Sequence, residues 1–180
     1  MRSNKLSAAA LGMATLLLLG APAYAEKFST TFTGFEEIGG LGAGETGAIF
    51  SQGKGTLDLR LNTKTQTLTF KLTYSGLSSP VTQAHIHLGK VHVAGGIMVF
   101  FCSNLANPPS GTQACPLNGG TVSGTITAAG VVGPTAQNVT VGDFNALVAA
   151  LLSDTAYANI HTMNFPAGEI RGQVRRSDDD

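Results

Sequence analysis

Two neighbouring stretches of the chain repeat with a period of two residues, and that period limits what the chain can build. From Gly55 to Asn62, Leu57, Leu59 and Leu61 alternate with Thr56, Asp58 and Arg60. From Thr67 to Tyr74, Leu68, Phe70, Leu72 and Tyr74 alternate with Thr67, Thr69, Lys71 and Thr73. Successive side chains of an extended backbone point to opposite faces, so each run reads as a strand with one buried face. The residues Asn62 to Gln66 between them carry turn chemistry, and the pair is predicted to be an antiparallel hairpin.

Further short strands are predicted over Phe28–Thr33, Ala48–Ser51, Thr82–Leu88, Gly96–Cys102, Thr121–Thr127, Tyr157–Thr162 and Glu169–Arg175. Helical spacing occurs once, near residues 143–152: Phe144, Leu147, Val148 and Leu151 form a stripe behind Asp143, a suitable N-cap. Many short strands separated by glycine-rich turns predict an all-β fold, an immunoglobulin-like or Greek-key β-sandwich or barrel, with the helix packed over one edge or end. Glu37 to Gly47 reads as a mobile surface loop and residues 177–180 as a disordered acidic tail.

The first residues read differently. Arg2 and Lys5 precede an apolar run from Leu6 to Gly20, and Ala23-Tyr24-Ala25 offers small residues at both recognition positions of a cleavage site. Residues 1–25 are therefore expected to be a secretory signal peptide, the run being shorter than the ~20 residues that span a bilayer. No membrane span is expected after its removal. Basic and acidic side chains number 11 each over the whole chain; losing Arg2 and Lys5 leaves nine against eleven, a net −2. A mildly acidic chain lacks the basic face that nucleic-acid binding needs. Export to the periplasm or the extracellular space gives meaning to Cys102 and Cys115, the only two cysteines. A disulfide is expected, with two free buried thiols as the alternative, and closing such a loop stabilises by ~3 kcal/mol.

Nucleophile elbows, phosphate-binding loops and cysteine–histidine pairs are missing from the sequence, so a non-catalytic binding or structural role is expected in preference to an enzyme. Its concentrated chemistry is histidine. His85 and His87 are two residues apart in a predicted strand and project from one face, with Ala84, Ile86 and Leu88 on the other. In the same way Tyr157, Asn159 and His161 lie opposite Ala158 and Ile160, and Glu169, Arg171 and Gln173 opposite Ile170 and Val174. If these strands are neighbours, His85, His87, His161, Glu169 and Arg171 gather on the outside of the sandwich. Two arrangements compete there. The imidazoles of His85, His87 and His161 can hold copper or zinc, with Asn159, Glu169 and Arg171 orienting them and His92 available as an extra ligand. Alternatively the same groups form a polar hydrogen-bond network without a metal.

The runs LTFKLTYSGL from Leu68, VTQAHIH from Val81, YANIHT from Tyr157 and PAGEIRGQV from Pro166 resemble, in this order, the CHRD domain. That family is named after chordin, the extracellular inhibitor of bone morphogenetic proteins, and also occurs in exported microbial proteins. The resemblance runs from Phe28 to Val174, within a domain placed at 26–176. It implies an immunoglobulin-like sandwich with limited similarity to Cu/Zn superoxide dismutase, in which His85 and His87 match the copper-binding pair and His161 a further position. The loop pattern of dismutases that holds zinc has no counterpart here. Residues 36–45 also replace the Asn-Glu-Val-Pro-Pro stretch usual in microbial members. The implied role is an exported module that binds an extracellular or envelope protein or ligand. The rival is a copper- or zinc-binding protein, with redox chemistry open to it.

Overall fold

The computed structural model describes residues 25–38 and 47–177. The expected signal peptide up to residue 24, the middle of the expected mobile loop and the last three residues of the tail lie outside the described residues.

The chain opens with β1 (Ala25–Phe32), β2 (Lys54–Asn62) and β3 (Thr67–Ser75), an antiparallel meander. The predicted hairpin forms in the register its alternation requires: Leu57 faces Leu72, Leu59 faces Phe70 and Leu61 faces Leu68, all buried. Its turn is held by Asn62, whose Oδ1 accepts from the backbone N–H of Lys64 and of Thr65. The chain then crosses to a second layer for β4 (Val81–Leu88) and β5 (Ile97–Ser103), and returns for β6 (Gly120–Ile126) beside β3. Helix α1 (Phe144–Leu152) leads to β7 (Ala156–Thr162) and β8 (Ile170–Gln173), and β9 (Arg175–Arg176) closes against β1. The result is a β-sandwich with sheet orders β6-β3-β2-β1-β9 and β5-β4-β7-β8, every pairing antiparallel.

The inner faces supply one core, with Phe28, Leu59, Phe70 and Leu72 from the first sheet against Ile86, Phe101, Ala158 and Ile160 from the second. Helix α1 starts where the sequence places it, with the Asp143 carboxylate accepting from the Ala146 N–H, and buries Phe144, Leu147, Ala150 and Leu151. Cys102 and Cys115 form the expected disulfide, S–S 2.09 Å, tying the end of β5 to the loop before β6.

Two expected strands are corrected. Ala48–Ser51 is not a strand, because its backbone pairs locally: the Ile49 N–H donates to the Gly34 carbonyl across a short 3-10 turn at Gly34–Glu36. Glu169–Arg175 divides into β8 and β9, which belong to different sheets, with Val174 buried at the crossing.

Candidate metal centre

Strand register assembles the site. In the second sheet His85 lies opposite Asn159 and Asn159 opposite Arg171, while His87 lies opposite Tyr157 and Tyr157 opposite Gln173. His161 lies opposite Gln83 in the adjoining row. All of these project from the face of the sheet turned away from the core. Against β4, strand β5 shifts register twice, between Ala84 and His85 and between Ile86 and His87. Such shifts re-aim side chains. Here they bring the Phe100 ring edge-on to His85, at 4.5 Å between centroids, while Phe101 turns inward to Phe70.

The face is not the outer surface that alternation predicts. His85 is 0% exposed and His87 and His161 are 7%, and all seven residues of β7 are buried. Three segments cover it. The loop after β4 is fastened at Gly95, whose carbonyl accepts from His87 Nδ1 at 2.9 Å and whose N–H donates to the Tyr157 hydroxyl. A Cβ at this position would run into the Leu88 carbonyl, so only glycine lets the loop lie so close. The turn after β7 brings the Pro166 carbonyl to His161 Nδ1 at 2.8 Å. The third cover is Glu37, expected on a mobile surface loop but 2% exposed, with Oε2 3.5 Å from the amide nitrogen of Asn159. Gly168 makes room for its carboxylate.

These contacts fix the chemical state of the rings. A carbonyl only accepts, so His87 and His161 both carry hydrogen on Nδ1 and present Nε2 as a lone pair. The two Nε2 atoms differ in their surroundings. That of His87 is buried with no partner, as are both nitrogens of His85. That of His161 faces the side-chain oxygen of Asn159 at 3.0 Å, a meeting of two lone pairs that a cation, or a half-turn of the amide, resolves. Burial keeps the rings neutral. Desolvation, reinforced by the other two imidazoles, pushes His85 down to about 2. Desolvation takes His87 to about 4, with the Gly95 carbonyl opposing; Asn159 beside it also opposes, although it makes no hydrogen bond of good geometry to Nε2. Burial lowers His161 as well.

One ligating nitrogen from each of His85, His87 and His161 lies within 4.8 Å of the other two. All three can therefore lie within about 2.8 Å of a common point, against Zn–N bonds of ~2.0–2.1 Å, so a small inward movement would suffice for coordination. The donor set fits a metal: three neutral imidazoles, two oriented by carbonyls on their other nitrogen.

The remaining sequence candidates divide. Asn159 adjoins the trio directly. Arg171 belongs to the same face but acts through Tyr157: its guanidinium carbon lies 3.4 Å from the Tyr157 ring centre, and the ring also stacks on His87 at 4.8 Å with a 6° tilt. Strands β4 and β8 flank β7, so His87 and Arg171 reach Tyr157 from its two sides. Arg171 Nη2 donates to the carbonyls of Lys90 and Val93, which ties the covering loop down. Glu169 is taken elsewhere. It precedes β8, escapes the alternation, and accepts from Ser51, Ser78 and Thr162 in a separate buried cluster. His92 stands apart too, its side chain 64% exposed and 3.3 Å from Glu36 on the outside of the cover. Tyr157 and Glu37 were not singled out as functional by the sequence; for Tyr157 the signal was its place two residues before Asn159 on the polar face.

Among known proteins, the CHRD domain family model matches residues 28–174. No curated protein and no solved structure matches the chain.

Proposed function

Since this chain belongs to the CHRD domain family over residues 28–174, we propose that it is an exported binding module whose ligand is one transition-metal ion held by His85, His87 and His161. The observation that carries the reading is the convergence of three buried imidazoles, with His85 and His87 keeping nitrogens that no group among the described residues satisfies. Burying a polar nitrogen without a partner costs roughly 1–3 kcal/mol, and a metal bond removes that cost for the nitrogen it uses. Export is supported by the leader-like residues 1–25 and by the Cys102–Cys115 bridge, which persists in oxidising compartments. The mature domain on this reading spans 26–176.

The chain's own groups divide the work of holding the ion. Gly95 and Pro166 fix the tautomers of His87 and His161, and Tyr157, backed by Arg171, fixes the plane of the His87 ring. Glu37 and the loop after β4 exclude water from above. A bound copper would supply one-electron chemistry and a bound zinc Lewis acidity. Covered by these segments, the site favours retention of its ligand over turnover of a substrate.

Metal analysis tests this. The purified mature chain, stripped with a chelator and reloaded with copper or zinc, is expected to keep one equivalent after gel filtration, and His85→Ala and His87→Gln to keep almost none. Circular dichroism of the metal-free proteins separates lost ligands from lost folding. Equal metal content in the wild type and in folded variants would sink the assignment.

A further inference from the structure

We propose that the site is selective for a monovalent ion, Cu(I), over Zn(II) and Cu(II); this rests on the metal-binding reading above and names its ligand. The ground is the charge that surrounds the trio. Among the described residues the donor set is three imidazoles, with no carboxylate or thiolate in it. The nearby ionisable groups on the covered face are Glu37 and Arg171, both about 2% exposed and of opposite sign; Glu36 also acts on Arg171 but is half exposed and screened by solvent. Tyr157, buried and bonded to Gly95, stays a neutral phenol. The carboxylate of Glu169 is turned into its own cluster of hydroxyls and the backbone N–H of Ser78.

A divalent ion seated among these groups would leave two uncompensated positive charges in a buried place, and a monovalent ion one. The cost of burying an ion rises with the square of its charge, so the penalty for the divalent ion is about four times larger. Divalent zinc meets this cost elsewhere with anionic ligands or with a water in an open fourth position. Under this cover the nearby carboxylate, Glu37, reaches Asn159 and lies outside the group of converging donor atoms, and Asn159 is 3% exposed. A monovalent d10 ion is satisfied by three neutral nitrogens and needs no fourth ligand.

The test is a set of competition titrations on the metal-free mature chain against chromophoric chelators: Zn(II) and Cu(II) in air, and Cu(I) under argon with ascorbate. Cu(I) is expected to bind at one equivalent and at least a hundredfold more tightly than either divalent ion. Zinc or Cu(II) binding as tightly as Cu(I) would overturn the selectivity while leaving the site standing; a wild-type chain that holds none of the three would overturn the site itself. Glu37→Gln provides the second arm. Removing a negative charge that is not itself a ligand acts in proportion to the charge of the ion, so zinc affinity should fall about tenfold where Cu(I) affinity falls about threefold. Equal losses for the two ions would show that Glu37 acts through packing, and would overturn the charge argument.

Discussion

His85 carries the greatest unmet demand of any residue at the site. It is fully buried, its two nitrogens have no hydrogen-bond partner, and its ring is wedged between Phe100 and the other two imidazoles. Arg171 is better provided for, a buried cation with two carbonyls on Nη2 and an aromatic face beneath it, although its Nη1 is buried without a hydrogen-bond partner. Breaking such an arrangement takes the donor from the Val93 carbonyl and leaves the Lys90 carbonyl with the Val93 N–H alone, so Arg171→Ala is expected to destabilise the protein by about 2–4 kcal/mol. His92→Ala, which removes an exposed contact with Glu36, should change stability by no more than about 0.5 kcal/mol. Urea midpoints of the two variants check this contrast; an Arg171 variant as stable as the His92 variant would mean that the covering loop is held by something else. The spacing of His85, His87 and His161 was legible in the sequence. The difference between Glu169 and Arg171, two residues apart, was not, because it depends on where β8 begins.

At the scale of elements, the alternating runs behaved as their period requires wherever one face meets the core, as in β2 and β3. Strand β7 departs from the pattern, being buried on both faces. Alternation shows which side chains share a face and is silent on what covers that face. Here the cover comes from segments distant in sequence, 34–38, 89–96 and the turn at Pro166–Gly168. Its closeness depends on Gly95. Gly95→Ala would push the loop off the Leu88 carbonyl and weaken the bonds to His87 and Tyr157, so the amide of Gly95 should lose protection from hydrogen exchange by at least tenfold while the amides of β2 and β3 keep theirs. Unchanged exchange at Gly95 would show that the loop accommodates a side chain. Ala48–Ser51 teaches the converse: a short apolar–polar run became irregular because Gly34 offered its backbone a nearer partner.

The whole molecule sets the acid response of the metal-free chain. His85 and His87 titrate at about 2 and about 4 when folded, below the ordinary value of ~6.5 that the unfolded chain regains. The unfolded state therefore takes up protons first as the pH falls. Their contribution to stability is whole above pH ~6.5 and declines below it, by roughly 1.4 kcal/mol per pH unit for each imidazole protonated only in the unfolded chain. For His87 the decline ends near pH 4 and for His85 it continues towards pH 2. Urea unfolding of metal-free wild type and His85→Leu between pH 7.5 and 5 is expected to show the shallower dependence in the variant; identical slopes would mean that His85 is not held neutral. By itself the sequence determined the all-β class, the hairpin register, the helix and its cap, and the facing of the histidines, because each follows from local periodicity or from the chemistry of a few adjacent residues. Only the tertiary structure decided that β4, β7 and β8 are neighbours, that Glu37 and Gly95 close over them, and that Glu169 and His92 stand aside. Those outcomes depend on contacts between segments up to 122 residues apart, as between Glu37 and Asn159, and on the burial such contacts create, which turns a row of ordinary imidazoles into neutral, unsatisfied donors.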